Sequence, residues 1–280
     1  MLALDTLKDR RILVTGGGSG LGLAMTTRFL ELGAQVAITG RSQERLTGAL
    51  AELQIHAPRC IAHAADVREP AAVEALVDDV ASRLGGIDVL VNNAAGNFLA
   101  ATEDLSPNAF DAVVRTVLHG AFHMTSAVGR HMIAHGGGTI LNIATTYAWT
   151  GSAFVVPSAA AKAGVLAITR SLAVEWAEYG IRCNAIAPGP FPTEGAFSRL
   201  IPTPEAEQMM LQRIPQRRFG RPAELAELAA FLISDAATYI NGECITIDGG
   251  EWLASGGEFN ALTNLPRASV KSMLRGLRGK

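Results

Sequence analysis

The stretch "RILVTGGGSGLGLAMTTRFLELGAQVAITG" at residues 11–40 contains the pattern that decides the fold. It opens with an apolar run, passes through a cluster of glycines, and continues with apolar residues at roughly helical spacing. Leu23, Met25, Phe29 and Leu30 form that spaced set, and "QVAITG" follows as a second apolar run. This order predicts a strand, a tight turn, a helix and a second, parallel strand.

The same alternation continues through most of the chain. Five further apolar runs are separated by helix-like segments, at residues 59–66, 87–96, 138–145, 181–190 and 244–250. Each run is almost wholly apolar, as strands that are buried on both faces require. We therefore predict a single-domain α/β fold over residues 1–280, with a doubly wound, Rossmann-type parallel sheet and right-handed crossovers.

Composition and charge exclude several classes of protein. The 280 residues are 49% apolar and carry a net charge of −2, so a large core is expected and a nucleic acid or membrane partner is not. The sequence reaches an apolar strand without a signal-like segment, and no apolar run approaches the length of a bilayer span. Cys60, Cys183 and Cys244 are far apart, without metal or redox spacing. We expect a cytoplasmic protein.

The glycine cluster "TGGGSGLG" at residues 15–22 predicts a dinucleotide site, because it lies between a strand and a helix. Gly16 permits the tight turn, Gly20 lets backbone amides approach a pyrophosphate, and Gly22 lets the helix pack closely on the strand. A purely structural glycine turn is the alternative. The candidate cofactor contacts in this loop are Gly16, Gly17, Gly18, Ser19, Gly20 and Leu21.

The end of the second strand indicates which nucleotide binds. An NAD site places a carboxylate there for the ribose 2′-hydroxyl, whereas this strand is followed by Arg41 and Ser42. A guanidinium pairs with a 2′-phosphate through two hydrogen bonds, so the sequence favours NADP(H). Arg41 as an ordinary exposed arginine is the alternative, and Ser42 is also a plausible helix N-cap.

Further motifs follow in order: "NNAAGNF" (92–98), "TTYAWTGSAFVVPSAAAKAG" (145–164), "PGPFPTEGAFSRL" (188–200) and "INGECITIDGGEWLASGGEFN" (240–260). With them, the chain resembles the short-chain dehydrogenase/reductase family over nearly its full length. Within the family it is most similar to the mitochondrial-type, NADPH-dependent 2,4-dienoyl-CoA reductases. The resemblance implies an acyl-CoA substrate, a role in fatty acid β-oxidation, and a homotetramer.

The resemblance also implies catalytic residues. Tyr147 and Asn97 would hold the thioester oxygen, Lys162 would bind the nicotinamide ribose, and Ser158 stands where most family members have a tyrosine. The displaced tyrosine has a physical reason, since hydride addition at the remote end of a diene puts negative charge on the distant thioester oxygen. Each residue except Lys162 has a structural alternative: Tyr147 as packing beside Trp149, Asn97 as turn support, and Ser158 at a helix N-terminus.

Other positions follow from the same resemblance. Asp66 would face the adenine, and Pro188, Gly189, Pro190 and Phe191 would complete the cofactor contacts. The acyl-CoA would contact Arg68, Phe98, Ser106 and Arg199, the last within a proline-rich, irregular segment at 191–221 that is interpreted as a lid. Arg68 could instead simply begin a helix.

His119 departs from the family pattern, which generally has an asparagine there that holds a structural water. His119 and His123, like His131 and His135, are four residues apart, but no carboxylate or cysteine cluster joins them, so we expect no metal site. The basic tail after Leu265 is interpreted as a solvated or partly disordered end, with a role at an anionic ligand or a neighbouring subunit as the alternative. Two rival functions remain open: a carbonyl or 3-oxoacyl reductase, and a non-catalytic NADP(H)-binding sensor.

Overall fold

A parallel sheet forms the centre of the computed structural model, which describes residues 2–193 and 203–278. Within these residues the strands are β1 Arg11–Thr15, β2 Gln35–Gly40, β3 Cys60–Ala64, β4 Val89–Asn92, β5 Gly138–Ile143, β6 Ile181–Pro188 and β7 Cys244–Ile247. They pair in the order β3-β2-β1-β4-β5-β6-β7, and every pairing is parallel. The prediction of a doubly wound parallel sheet is confirmed. From β1 the chain adds strands first towards one edge of the sheet and then, from β4 onward, towards the other edge. At such a reversal of strand order, a crevice that can bind a ligand opens at the carboxyl ends of the strands.

Helices follow most of the strands. In the described residues they are α1 Gly20–Glu31, α2 Gln43–Glu52, α3 Pro70–Leu84, α4 Pro107–Val114, α5 Gly120–Ala134, α6 Tyr147–Thr150, α7 Val156–Glu175, α8 Pro204–Arg213, α9 Pro222–Ile233, α10 Glu251–Gly256 and α11 Arg267–Arg278. A wider π turn at Arg115–His119 joins α4 to α5. None of the helices in the described part of the chain is long and apolar enough to cross a bilayer.

The core lies in two layers, one on each face of the sheet. On one face, Phe29 and Leu30 of α1 pack with Leu225 and Leu232 of α9 against the buried sides of β1 and β2. On the other face, apolar side chains of α3 and α5 pack against β1 and β4. Burial of both faces explains why the strands lack a polar–apolar alternation. The sheet therefore presents a rigid carboxyl edge on which loops can place functional groups.

Two segments differ from their predicted character. Part of the lid segment that was predicted to be irregular is the helix α8, since the Thr203 hydroxyl accepts a hydrogen bond from the amide of Ala206 at 3.2 Å and Pro204 occupies the first turn. The basic tail is also helical, as α11, and Val270 in it is buried. The interpretation of this tail as a solvated or partly disordered end holds for solvation, because most of its side chains are exposed. It was wrong about disorder, because it weighed the charges and not the helical spacing of the apolar residues.

Candidate active site

The glycine turn after β1 is built so that no side chain fills it. Gly16 and Gly20 have φ angles of +65° and +54°, in the region that favours glycine. A Cβ atom at Gly22 would lie 2.1 Å from the carbonyl oxygen of Gly16, and one at Gly17 would lie 2.6 Å from the Ile38 side chain. The backbone here approaches as closely as glycine alone permits, which is the geometry that brings main-chain amides up to a phosphate.

The start of α1 adds an electrostatic contribution to this turn. Ser19 precedes the helix in an extended conformation, and its side chain makes no capping hydrogen bond. The amides of the first helical turn, with the positive end of the helix dipole, therefore face the crevice and suit an anion. The turn and the helix end together fit the pyrophosphate of a dinucleotide.

A polar bridge holds this turn to the next strand. The amides of Asn93 and Ala94 both donate to the Thr15 hydroxyl at 2.9 Å, and the Asn93 side-chain amide donates to the carbonyl oxygens of Thr15 and Gly16 at 3.0 and 3.2 Å. The carboxyl ends of β1 and β4 are thus fixed relative to each other. We did not single out Thr15 or Asn93 from the sequence, although the paired asparagines directly after an apolar run were a usable signal.

The end of β2 presents the predicted nucleotide-selecting residues. Arg41 is exposed, and the Ser42 hydroxyl accepts a hydrogen bond from the amide of Arg45 at 3.3 Å, which confirms Ser42 as the N-cap of α2. Nearby, the Arg68 Nε donates to both carboxylate oxygens of Asp66 at 2.9 and 3.0 Å. Hydrogen bonds from Arg68, helped by the charge of Arg41, hold the pKa of Asp66 below its usual value. The structure therefore pairs Arg68 with Asp66, and its contact with CoA remains a prediction.

Three side chains from separate elements meet at the Tyr147 hydroxyl. The Asn97 side-chain amide, after β4, donates to this oxygen at 3.3 Å, and the Ser158 hydroxyl in the first turn of α7 lies 3.1 Å from it. Ser158 is 2% exposed, and the cap of α7 is Val155, so Ser158 does not act as the helix cap. Tyr147 itself begins the one-turn helix α6 beyond β5. The arrangement brings a phenol and an amide donor to one point, which suits an oxygen that gains negative charge.

Lys162 lies one turn after Ser158 on α7 and is 7% exposed. Its ammonium donates to the carbonyl oxygen of Ile143 at the end of β5. Burial lowers the pKa of Lys162 from 10.5 to about 8, because the charged form loses its hydration. A buried lysine at the carboxyl edge of the sheet can donate hydrogen bonds to hydroxyl groups of a ligand.

A buried chain of amides and hydroxyls supports this region from below. The Asn92 amide donates to the Thr125 hydroxyl and to the Asn142 carbonyl oxygen, both at 2.9 Å, and the Asn142 amide donates to the Thr169 hydroxyl at 2.8 Å. The chain joins β4 and β5 to α5 and α7. Sequence reasoning missed it, since asparagines inside apolar strands can be matched to partners only after the fold is known.

The loop after β6 carries the remaining predicted cofactor residues. The Gly189 amide donates to the carbonyl oxygen of Ile247 at 3.0 Å, and the Gly220 amide donates to that of Pro190 at 3.1 Å. A Cβ atom at Gly220 would lie 2.4 Å from the ring of Phe191, so the ring rests directly on the backbone. Residues 188–191 are thereby held between β7 and the chain that precedes α9.

The residues that were predicted to contact the substrate differ in their surroundings. Phe98, next to Asn97 in the chain, packs against an apolar cluster that contains Val113 and Val165. The exposed Ser106 caps α4 by accepting a hydrogen bond from the amide of Ala109 at 3.2 Å. Arg199 lies outside the described residues. The substrate role of each residue remains a prediction.

The histidine pairs have structural partners. His119 is exposed, with its ring 6.2 Å from that of His123, and the Nδ1 atom of His123 lies 3.0 Å from the carbonyl oxygen of Val67. The rings of His131 and His135 stack at 4.1 Å. Across residues 2–193 and 203–278, the structure groups no three His, Cys, Asp or Glu side chains that could hold a metal ion.

Comparison with known proteins places the chain in a family. A family model described as enoyl-(acyl carrier protein) reductase matches residues 16–251. The crystal structure of a short-chain dehydrogenase from Bacillus anthracis has a TM-score of 0.81 and 43% sequence identity, and the match covers 88% of this chain and 97% of that one. The chain belongs to the short-chain dehydrogenase/reductase family. The resemblance inferred from the sequence motifs is confirmed.

Two further proteins are similar to this chain over most of their length. A protein of Bacillus subtilis described as a probable 2,4-dienoyl-CoA reductase, (2E)-enoyl-CoA-producing, is 46% identical over 249 residues, covering 88% of this chain and 98% of its own. A gluconate 5-dehydrogenase from Burkholderia cenocepacia, solved in complex with NADP and tartrate, has a TM-score of 0.83 at 35% identity and covers 89% of this chain and 98% of its own.

Proposed function

We propose that this protein is an NADPH-dependent reductase that converts 2,4-dienoyl-CoA thioesters to enoyl-CoA. The observation that carries the proposal is the meeting of Asn97, Tyr147 and Ser158 around one phenol oxygen. Similarity to the Bacillus subtilis protein described as a probable 2,4-dienoyl-CoA reductase supports the substrate class.

The position of the phenol fits a conjugated thioester better than a simple ketone. In ketone reduction, the oxygen that gains charge is bonded to the carbon that receives the hydride. Here the residue one turn before Lys162 is Ser158, and the phenol reaches it from the separate helix α6. A thioester oxygen several bonds from the attacked carbon suits such a displaced donor.

The residues have distinct tasks in this scheme. When bound, NADPH supplies a hydride to the remote end of the diene. Negative charge then moves through the conjugated system to the thioester oxygen, where Tyr147 and Asn97 donate hydrogen bonds to the dienolate. Ser158 donates to the Tyr147 oxygen and so leaves the phenol proton free to point at the substrate. A proton from water, added to carbon, completes the reduction.

The preference for NADP(H) over NAD(H) rests on the end of β2. Arg41 is exposed directly after the strand, and the part of the chain that follows has no carboxylate until Glu44, inside α2. Lys162 would donate to the nicotinamide ribose, and the residues 188–191 would hold the nicotinamide amide.

The proposal also covers the number of subunits, the metabolic role and the cellular location of the protein. Phe122 and Ile133 on α5, together with Val174 on α7, are exposed apolar side chains, and burying them between copies favours a homotetramer. The substrate class assigns the enzyme to β-oxidation of unsaturated fatty acids. The three cysteines are free thiols, which suits the reducing cytoplasm. Light scattering of the purified protein measures the subunit number directly.

A spectrophotometric screen tests the function. NADPH oxidation is followed at fixed protein concentration with 2,4-hexadienoyl-CoA, with a 3-oxoacyl-CoA and with no substrate. We expect steady oxidation with the dienoyl thioester alone. Oxidation with the 3-oxo compound alone would assign the chain to carbonyl reduction, and tight NADPH binding without any turnover would assign it to cofactor sensing.

A further inference from the structure

A cavity of about 520 Å³ lies at the carboxyl ends of β6 and β7, beyond the loop at residues 188–191. Its volume is in the range of small-molecule sites. Its apolar lining comes from Pro190, Phe191, Ile247, Trp252 and Leu253. Pro190 and Phe191 are also predicted cofactor contacts, whereas the sequence motifs assign no role to Ile247, Trp252 or Leu253.

The charged groups of the cavity are already satisfied by the protein. Arg218 donates to both carboxylate oxygens of Glu224 at 2.8 Å, and these bonds hold the pKa of Glu224 at about 2. Asp248 accepts hydrogen bonds from the amides of Gly250 and Trp252 at 2.8 and 2.7 Å. A charged ligand would have to compete with these bonds, whereas an uncharged apolar ligand leaves them intact.

The cavity is connected to both parts of the candidate active site through residues of its wall. The Trp252 ring stacks on that of Trp149 with centroids 5.0 Å apart, and Trp149 is two residues after Tyr147 on α6. On the other side, Phe191 belongs both to the cavity wall and to the loop at residues 188–191. For an acyl group held by its thioester oxygen at Tyr147, this cavity is therefore a neighbouring apolar space, next to the α6 helix through Trp252 and next to the predicted cofactor loop through Phe191.

We propose that this cavity binds the distal, saturated part of the acyl chain, with Trp252 and Leu253 setting the accepted chain length. The inference rests on the proposed function for the direction in which the acyl group lies. It assigns to α10, a helix outside the glycine turn and the Tyr147 cluster, a part in substrate selection.

The test narrows the cavity without disturbing the core. Leu253 is 72% exposed, so Leu253→Trp adds bulk at the wall with little effect on folding. The matched control is Leu265→Trp, at an apolar side chain that is 50% exposed and does not line the cavity. Each protein is assayed for kcat/KM with 2,4-hexadienoyl-CoA and 2,4-decadienoyl-CoA, and for binding of butanoyl-CoA and decanoyl-CoA by calorimetry, which needs no turnover.

We expect Leu253→Trp to lower the decadienoyl-to-hexadienoyl ratio of kcat/KM by about 10-fold, with a parallel loss for decanoyl-CoA binding, while Leu265→Trp leaves both ratios as in the parent. The ratio is the readout because a general loss of stability lowers kcat/KM for both substrates by the same factor and leaves their ratio unchanged. Unchanged ratios in Leu253→Trp overturn the inference. If the parent reduces no dienoyl-CoA, the proposed function fails, and the binding ratios alone then decide about the cavity.

Discussion

The nucleotide side of the cleft and the side around Tyr147 differ in which atoms face the ligand. At residues 15–22 the groups available to a ligand are mainly main-chain amides, because five of the eight residues are glycines without a side chain. Around Tyr147 the contacts are side chains from three separate elements, held by hydrogen bonds of 3.1 and 3.3 Å. The first side has no room for a Cβ atom at Gly17 or Gly22, whereas the second depends on one hydroxyl group, so different substitutions should disable each side.

The largest effect should come from Tyr147→Phe. Removing one donor to a developing oxyanion costs about 10²–10³-fold in kcat, and the cofactor should still bind as in the parent. Stopped-flow reduction of 2,4-hexadienoyl-CoA and NADPH fluorescence titration measure the two quantities. Tyr239→Phe, at a fully exposed tyrosine, is the control and should change neither. Full turnover in Tyr147→Phe would show that the Tyr147 hydroxyl does not stabilise the oxyanion.

Gly22→Ala tests the nucleotide side through stability. The new Cβ atom would lie 2.1 Å from the Gly16 carbonyl oxygen, so the turn must shift. We expect a loss of about 1–3 kcal/mol in the free energy of unfolding, together with weaker NADPH binding. Urea denaturation gives the first value.

Gly48 offers a matched control for that substitution. It lies inside α2, and a Cβ atom there meets nothing within 4 Å. Gly48→Ala should therefore stabilise the protein by about 0.5–1 kcal/mol through the helix propensity of alanine. Equal effects at the two glycines would show that the turn is not tightly packed.

Arg41→Ala separates the two cofactors. Loss of a charge-assisted hydrogen bond to the 2′-phosphate should weaken NADPH binding by about 10-fold, with NADH binding unaltered. Isothermal titration with both nucleotides measures the difference. Arg83→Ala, at an exposed arginine on α3 that pairs with Asp79, is the control. Similar losses for NADPH and NADH in Arg41→Ala would contradict the NADP(H) assignment.

The smallest effect concerns the pH dependence of stability. The folded-state pKa of Lys162 is about 8, below its ordinary value of 10.5, so between these values the unfolded chain binds the extra proton. The contribution of Lys162 to the free energy of unfolding should rise with pH across this window, by at most about 1.4 kcal/mol per pH unit, and stay constant below it. The buried thiols of Cys60, Cys183 and Cys244 have raised pKa values and act in the opposite direction, so the slope is compared between variants that share them. Lys162→Met should lose this slope, whereas the exposed Lys271→Met should keep it. A slope shared by all three proteins would mean that Lys162 is not its source.

The two sides also differ in how far the sequence could predict them. The glycine turn is local, and its position between an apolar run and an amphipathic segment was sufficient to place it. The Tyr147 cluster was suggested by family resemblance, because Asn97 and Ser158 are distant from Tyr147 in the chain and meet only when β4, α6 and α7 are in place. The Asn92–Asn142 chain was missed for the same reason, since buried amides find their partners through the sheet order.

The stacked indoles of Trp149 and Trp252 provide an intrinsic spectroscopic probe of the region around them. The chain has three tryptophans, and two of them are in contact at 5.0 Å, where coupled transitions give a distinct near-ultraviolet dichroic signal. A molecule that enters beside this pair alters its emission and its dichroism together. Occupancy of that corner can therefore be followed in the unlabelled protein, in real time, alongside the absorbance of the nicotinamide.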